Sequence, residues 1–285
     1  MILVIGAGGT IGSALLEQLR ALQHPVRAAC HSQHSAATAA ARGADVAMID
    51  LADPVTLGPA LDGVDSVFLL SATGPEQTKQ ELNVLAAAKA AATVEQIVKL
   101  SVWRADELLT PIARLHRPVE EALEASGVAW TFLRPNFYMQ NFARQLAESI
   151  KHEGVIAQPE THAAISFIDA RDVARVAAHV LTSDGHTERA YNLTGPEALT
   201  YDEAAKAFST VLGKPVRCVG HSDQQAKADM LRRGLSEGHA DTLLEVSRAY
   251  RDGGADTVLP TVRELTGRNP GSLEQFISDH AAAFR

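Results

Sequence analysis

Cysteine is scarce in this chain: 285 residues hold only Cys30 and Cys218, far apart in sequence. They suggest no disulfide framework, and the expected setting is reducing and cytoplasmic. Basic residues are in the minority, 26 against 34 acidic, and no basic run occurs. The resulting net charge of −8 argues against nucleic acid or an anionic membrane as the main partner. Long apolar runs are missing too. Stretches such as 64–70 are far too short to span a bilayer. No internal repeat and no low-complexity linker is present, and the alanine-rich 36–41 and 86–92 are helix formers. A chain whose first residues read as a core strand is expected to carry no signal peptide.

What the chain does have is the composition of an ordinary globular protein, 46% hydrophobic and 21% charged. Short β-rich runs at 2–5, 26–29, 45–49, 66–70, 97–100 and 130–133 alternate with stretches of helical period at 13–22, 36–42, 55–61, 76–92 and 117–126. That alternation predicts an α/β fold of Rossmann type, a doubly wound parallel sheet with ligands at the carboxyl ends of its strands. After Arg134-Pro135 the rhythm loosens. A strand is expected at 165–168, a helix at 172–181, short strands near 191–193 and 216–219, and helices at 201–212, 223–233, 242–250 and 272–284. Thr200 with Glu203, and Ser272, are the expected caps. The division is residues 1–150 for the dinucleotide-binding domain and 151–285 for a smaller α/β C-terminal lobe, interleaved with the first.

The chemistry starts at residue 6. Ile2–Ile5 runs into Gly6-Ala7-Gly8-Gly9-Thr10-Ile11-Gly12, and Ser13–Arg20 continues at helical period. Gly6 permits the tight turn, Gly8 or Gly9 lets backbone N–H groups approach phosphate oxygens, and Gly12 lets the helix pack closely on the sheet. The helix start offers unpaired N–H groups and its positive dipole end to a pyrophosphate. The spacing is G-x-x-G-x-x-G with one extra glycine, so the preceding strand and following helix carry the argument. The rival reading is a glycine turn in a non-binding α/β domain.

An acid at the end of the second strand would bond the ribose 2′-hydroxyl of NAD. That place reads Ala28-Ala29-Cys30-His31-Ser32-Gln33-His34, with no acid. The balance favours NADP, with His31 and Ser32 as donors to its 2′-phosphate and Arg27 or His34 in support. Solvated loop histidines are the alternative. His31-x-x-His34 lacks a recognisable third ligand, so no metal is expected.

The wording of several segments is more specific. Asp50-Leu51 follows the third strand and leads through Asp53-Pro54 and Leu57 into a helix; then comes Gly63-Val64-Asp65-Ser66-Val67-Phe68-Leu69-Leu70-Ser71. Further on stand Ser126-Gly127-Val128, Thr131-Phe132-Leu133-Arg134-Pro135-Asn136-Phe137, Gly195-Pro196-Glu197 and Gly267-Arg268-Asn269-Pro270. On these the chain resembles, over essentially its whole length, the NmrA-like group of atypical short-chain dehydrogenases/reductases. The resemblance implies that Asp50 and Leu51 flank the adenine and that Leu70, Ser71 and Ala72 run beside the ribose and nicotinamide. It places Lys99 to Val102 on the floor of the site and Pro135, Asn136, Phe137 and Tyr138 around the nicotinamide and acceptor. Asp50 as a turn cap, Ser71 as a strand-end hydroxyl, and Phe137, Tyr138, Met139 and Phe142 as plain core remain open alternatives.

Most of that superfamily passes a proton from a tyrosine activated by a lysine in Tyr-x-x-x-Lys. No such pair occurs here: Tyr138, Tyr191, Tyr201 and Tyr250 are followed at the fourth position by Phe142, Gly195, Ala205 and Gly254. Three readings follow. A hydride passes from NADPH, without flavin, to a small flat acceptor that delocalises charge, a quinone or an aromatic or conjugated ketone, with Ser101, His116 and Tyr138 as the catalytic candidates. Alternatively His116 replaces the tyrosine as acid, with Glu120 one turn away fixing its tautomer, against a bland reading of His116 as a cap ahead of Pro118 at a helix start. Or the protein binds dinucleotide without chemistry and senses redox state for a protein partner. A nucleotide-sugar epimerase would want the tyrosine–lysine pair. A homodimer is left open.

Overall fold

The computed structural model describes residues 1–159, 162–251 and 253–285. From the N-terminus the elements are β1 (Ile2–Val4), α1 (Thr10–Ala21), β2 (Val26–Cys30), α2 (Gln33–Ala41), β3 (Asp45–Met48), α3 (Leu57–Ala60), β4 (Ser66–Leu69), α4 (Gln77–Ala91), β5 (Gln96–Leu100), α5 (Pro111–Glu124) and β6 (Ala129–Pro135). There follow α6 (Gln140–Gln145), α7 (Ala147–Glu153), β7 (Val155–Pro159), α8 (Ala170–Thr182), β8 (Arg189–Leu193), α9 (Tyr201–Leu212) and β9 (Arg217–His221). The chain closes with α10 (Asp223–Arg232), α11 (Glu237–Arg251), α12 (Thr261–Thr266), α13 (Leu273–Asp279) and α14 (Ala281–Phe284).

Two compact units emerge. The first is Met1–Leu108, Ala113–Pro135 and Ala170–Asn192; the second is Leu109–Ile112, Asn136–Asp169 and Leu193–Arg285. The main division therefore falls after Pro135 and not at residue 150. Its cause is α8, whose stripe of Val173, Ala174, Val176, Ala177 and Val180 is buried and packs on α1, returning the chain to the first unit.

That unit is built on a sheet of order β3-β2-β1-β4-β5-β6-β8. The pairs β1–β2, β1–β4, β2–β3, β4–β5 and β5–β6 are parallel, with Ile2 opposite Val26 and Ser66, and Leu69 opposite Lys99. Continuous burial of β1 and β4 is what helices on both faces demand. Leu3, Ile5, Val67, Leu69, Ile97 and Phe132 meet Leu57, Leu61, Val84, Leu85, Val119 and Leu123 in one core cluster. The chain winds outward from β1 in one direction and from β4 in the other. The carboxyl ends of β1 and β4 thus form the switch point where this architecture binds ligands.

Helix α5 departs from the sequence reading. It starts at Pro111, so His116 and Pro118 lie inside it and His116 is not a cap. Pro118 lacks the N–H that an interior residue donates. The buried stripe Ala113, His116, Val119, Glu120 and Leu123 holds the helix to the sheet regardless.

In the second unit β7 pairs parallel with β9, Val155 opposite Arg217 and Pro159 opposite His221. Helix α9 begins in the expected capping box of Thr200 and Glu203 and packs on α13, while α14 packs on α7. Ser272 caps α13, and the helix breaks before α14 at His280. The strand expected at 165–168 is reduced to two isolated bridges, Ile165 with Leu199 and Tyr138 with Ile168. A tight turn from the Phe167 N–H to the Ile165 carbonyl, 3.0 Å, bends the chain at Ser166 and ends the ladder.

Candidate functional site

The glycine loop leaves β1 at its carboxyl end. Gly6 has φ +78°, and a Cβ there would meet the Leu70 carbonyl at 2.8 Å. A Cβ on Gly12 would stand 2.1 Å from the Gly6 carbonyl oxygen. Both positions need glycine, one for its left-handed turn and one for the close approach of helix to loop. Gly9, the N-cap of α1, offers no side-chain cap, and no acid occupies the first turn. The amide of Gly9 bonds to Gly6 and that of Ser13 to Gly9. The N–H groups of Thr10, Ile11 and Gly12 have no protein acceptor among the described residues. Gly8, Gly9 and Thr10 are exposed. Three bare donors at a helix N-terminus, rimmed by glycine, form an anion cradle.

At the end of β2, His31 is exposed and Ser32 half-buried. Ser32 caps α2 in a reciprocal box with Ser35, which leaves its hydroxyl engaged, 3.0 Å from the Ser35 hydroxyl. Asp50 is exposed, and its Oδ1 accepts from the Ala52 N–H at 2.8 Å. It does act as a turn cap. Leu51 contributes its carbonyl to Asn83 Nδ2, 2.9 Å.

Beyond β4 and β5 lies a buried polar chain. Ser71 Oγ donates to Glu81 Oε1 at 2.8 Å, while Ala72 beside it is exposed. Glu81 Oε2 pairs with Lys99 Nζ at 2.8 Å, with neither side chain exposed. Lys99 Nζ also donates to the Leu100 carbonyl, 2.7 Å, and lies 2.9 Å from His116 Nδ1. Lys99 is wholly buried, with its ammonium turned to these three groups, so the structure places it beneath the site and not on its surface.

His116 is corrected as well. Glu120 does not set its tautomer: its two oxygens are gripped by Arg134, 2.9 and 2.8 Å, and by Arg117 at 3.1 Å. An ammonium donating to Nδ1 instead fixes the proton on Nε2. Gln77 Nε2 lies 3.0 Å from that nitrogen, and Gln77 Oε1 is buried without a partner among the described residues. Turned over, the amide presents Oε1 as an acceptor for that N–H. Burial, and secondarily the Lys99 charge, hold the imidazole pKa well below the histidine range. A neutral ring in this post is no reservoir of acidic protons.

Ser101, just past β5, contrasts with these. Its N–H bonds to the Leu133 carbonyl at 2.7 Å, but its buried Oγ has no partner among the described residues. The Ser101 hydroxyl is thus uncommitted among the described residues, just past the carboxyl end of β5. Pro135 ends β6, buried, and its carbonyl accepts from Trp103 N–H.

In the second unit, Asn136 is 2% exposed. Its Nδ2 donates to Ser166 Oγ and the Ala255 carbonyl, both 2.8 Å, and its Oδ1 accepts from Phe137 N–H. Both amide hydrogens are consumed in holding three segments together, a structural post that leaves none for a cofactor. Met139 and Phe142 are core. Phe137 and Tyr138 are half-buried. Phe137 stands edge-on to Tyr250, ring centroids 6.4 Å apart, in the wall of a cleft lined also by Ile165, Tyr201, Met230 and Val246. Burial, then Tyr250, raise the Tyr138 phenol well above the ordinary value.

A switch-point cradle for an anion, on a sheet of this order, carries the architecture of a dinucleotide-binding protein. The model of the NmrA-like family matches residues 1–282. The chain belongs to that family. It is 37% identical over 284 residues to an NAD(P)H azoreductase of Xenophilus azovorans, spanning all of this chain and 99% of the relative. It is 36% identical over 290 residues to a (4-alkanoyl-5-oxo-2,5-dihydrofuran-3-yl)methyl phosphate reductase of Streptomyces griseus, again across the whole chain and 99% of the relative. The fold superposes, at TM-score 0.91 and 29% identity over 99% of this chain and all of the other, on an NADPH-dependent quinone oxidoreductase of Escherichia coli crystallised with NADPH. Among the described residues no cluster of three histidine, cysteine or acidic side chains is placed to hold a metal, and no helix is long and apolar enough to cross a membrane.

Glu81 and Gln77 were missed in sequence. The signal was present: the buried face of α4 is Gln77, Glu81, Val84, Leu85 and Ala88, and an acid in a helix's apolar stripe requires a buried cation.

Proposed function

We propose that this NmrA-like family member is an NADPH-dependent, flavin-free reductase that passes a hydride to a quinone or a conjugated aromatic ketone, acting on a small flat substrate in the cytoplasm. The observation that carries the reading is the bare N-terminus of α1, with three unpartnered N–H groups between glycines that admit no Cβ. The residues present fit a dinucleotide: Gly8 to Gly12 would hold the pyrophosphate, and the acid-free end of β2 tolerates a 2′-phosphate near His31. The relatives named above, an NAD(P)H azoreductase and an NADPH-dependent quinone oxidoreductase, support the acceptor class.

When bound, NADPH supplies the hydride, and a para-quinone that gains it with one proton becomes the hydroquinone while NADP⁺ remains. The protein's part is to bind and orient. Ser101 Oγ, buried and unpartnered, donates a hydrogen bond to the oxygen on which charge develops. Tyr138, its phenol pKa raised by burial, stays protonated and serves as a donor. His116 stays neutral beneath the site, so the proton comes from solvent or from the acceptor's own hydroxyl. The test is NADPH consumption against a panel of quinones, azo dyes and aromatic ketones. Tight cofactor binding with no turnover on any acceptor would favour the redox-sensing alternative.

A further inference from the structure

The carboxyl ends of β4 and β5 hold two buried hydroxyls of opposite hydrogen-bonding character. Ser71 and Ser101 each stand two residues beyond the last pair of the β4–β5 ladder, Leu69 opposite Lys99, and they are 9% and 5% exposed. Ser101 Oγ has no partner among the described residues. Ser71 Oγ gives its one hydrogen to Glu81 Oε1 at 2.8 Å. Glu81 reaches it from α4 and is wholly buried, with the Lys99 ammonium 2.8 Å from its other oxygen. A carboxylate facing an ammonium has no hydrogen to return, and a hydrogen bond to a charged group is stronger than one to a neutral group. The Ser71 hydroxyl is therefore left with lone pairs alone to offer. It accepts and does not donate.

Ser71 also stands beside the anion cradle. The carbonyl of Leu70, the residue before it, is 2.8 Å from where a Cβ on Gly6 would lie, and the Ile5 N–H bonds to the Phe68 carbonyl at 2.9 Å. In this architecture the adenosine lies toward the end of β2 and the pyrophosphate on the loop after β1. The second nucleotide then crosses the switch point toward β4. That half of the cofactor carries two kinds of donor, the carboxamide N–H and the sugar O–H groups, and an acceptor-only hydroxyl suits both. The same lone pairs would repel an oxygen on which negative charge develops. Ser71 thus belongs to the cofactor and Ser101 to the molecule being reduced.

We propose that Ser71 accepts a hydrogen bond from the nicotinamide half of the dinucleotide, and that Glu81, held by Lys99, is the positioning residue that keeps the serine's hydrogen turned away from it. The proposal rests on the dinucleotide part of the reductase reading and not on turnover. No proton is transferred and no covalent bond forms. Glu81 touches neither cofactor nor substrate. It acts only through the direction it gives to one hydroxyl, and Lys99, on the neighbouring strand β5, fixes Glu81 in turn.

Calorimetry on the full chain measures the affinity of three probes. They are NADP⁺, its 3-acetylpyridine analogue, in which a methyl group replaces the carboxamide NH₂, and adenosine 2′,5′-bisphosphate, which lacks the nicotinamide half. Ser71→Ala is expected to weaken NADP⁺ by roughly three- to tenfold, the contribution of one hydrogen bond, and to leave the bisphosphate unchanged. An analogue spared by the substitution makes the carboxamide the donor; one weakened as much as NADP⁺ makes a sugar hydroxyl the donor. The double variant Glu81→Leu with Lys99→Met removes both buried charges together. In that background Ser71→Ala should cost less than in the wild type, because the hydroxyl is no longer oriented. NADP⁺ affinity indifferent to Ser71→Ala, an equal loss for the bisphosphate, or the same Ser71→Ala loss in both backgrounds overturns the proposal. A wild-type chain that binds no NADP⁺ removes the dinucleotide reading and this proposal with it. The expected pattern without any NADPH oxidation sustains the proposal and defeats the reductase reading instead.

Discussion

Lys99 Nζ lies 2.8 Å from Glu81 Oε2, and neither side chain has exposed surface. The pair joins β5 to α4 beneath the switch point, and it orders the hydroxyl of Ser71 on one side and the imidazole of His116 on the other. Removing one member leaves an uncompensated buried charge. Glu81→Leu or Lys99→Met alone should cost about 3–5 kcal/mol, whereas the double variant should recover most of that loss. Urea unfolding of the four proteins checks it. Additive losses would show that the two charges do not depend on one another.

The glycine loop separates two effects that sequence alone merges. A Cβ on Gly9 meets only the Gly6 carbonyl at 3.3 Å, whereas on Gly12 it stands 2.1 Å from the same oxygen. Gly9→Asp should fold with nearly unchanged thermal midpoint and lose at least about 100-fold in NADPH affinity, through a negative charge set against phosphate. Gly12→Ala should lose both stability and affinity. Fluorescence titration with NADPH beside a thermal melt distinguishes them.

Dinucleotide choice is expected to sit at His31, exposed directly after β2. His31→Asp places an acid where the ribose hydroxyls of NADH are bonded and a 2′-phosphate is repelled. The ratio of kcat/KM for NADPH over NADH should fall by roughly tenfold or more. An unchanged ratio would remove His31 from the cofactor site.

His116 makes an acid-stability prediction. Burial first, and the Lys99 charge second, keep it neutral in the fold well below the usual histidine value. The unfolded chain takes up this proton near pH ~6.5 and the folded chain does not, so stability falls as pH drops below that value. The contribution is up to about 1.4 kcal/mol per pH unit. His116→Gln, which keeps an acceptor for Lys99, should flatten the wild-type slope between pH ~5 and ~6.5 and leave kcat within about threefold. A loss of roughly 100-fold in kcat would restore His116 as general acid.

What was legible in sequence was local. The strand, glycine loop and helix of residues 2–20 announce themselves by adjacent residues, as does the box of Thr200 and Glu203, because turn and cap chemistry is settled within four positions. His116 misled because helical spacing offered Glu120, while Arg134 claims that carboxylate from β6 and Lys99 reaches the ring from β5. Tyr201 and Tyr250 stand on α9 and α11, and only tertiary packing brings them to one cleft. Asn136, read as a ligand, is consumed by Ser166 and Ala255, partners that no local pattern points to.

The central claim is flavin-free hydride transfer from NADPH, and an anaerobic single-turnover mixing experiment tests it most directly. Protein shown to be free of flavin is loaded with NADPH and mixed with para-naphthoquinone, and loss of the reduced-nicotinamide absorbance is followed with Gly9→Asp as control. The account predicts that each quinone reduced consumes one NADPH, with a primary isotope effect when the transferred hydrogen is deuterium, and no reaction in the control at the same concentration. Bound NADPH that persists unchanged in the presence of the quinone would contradict it.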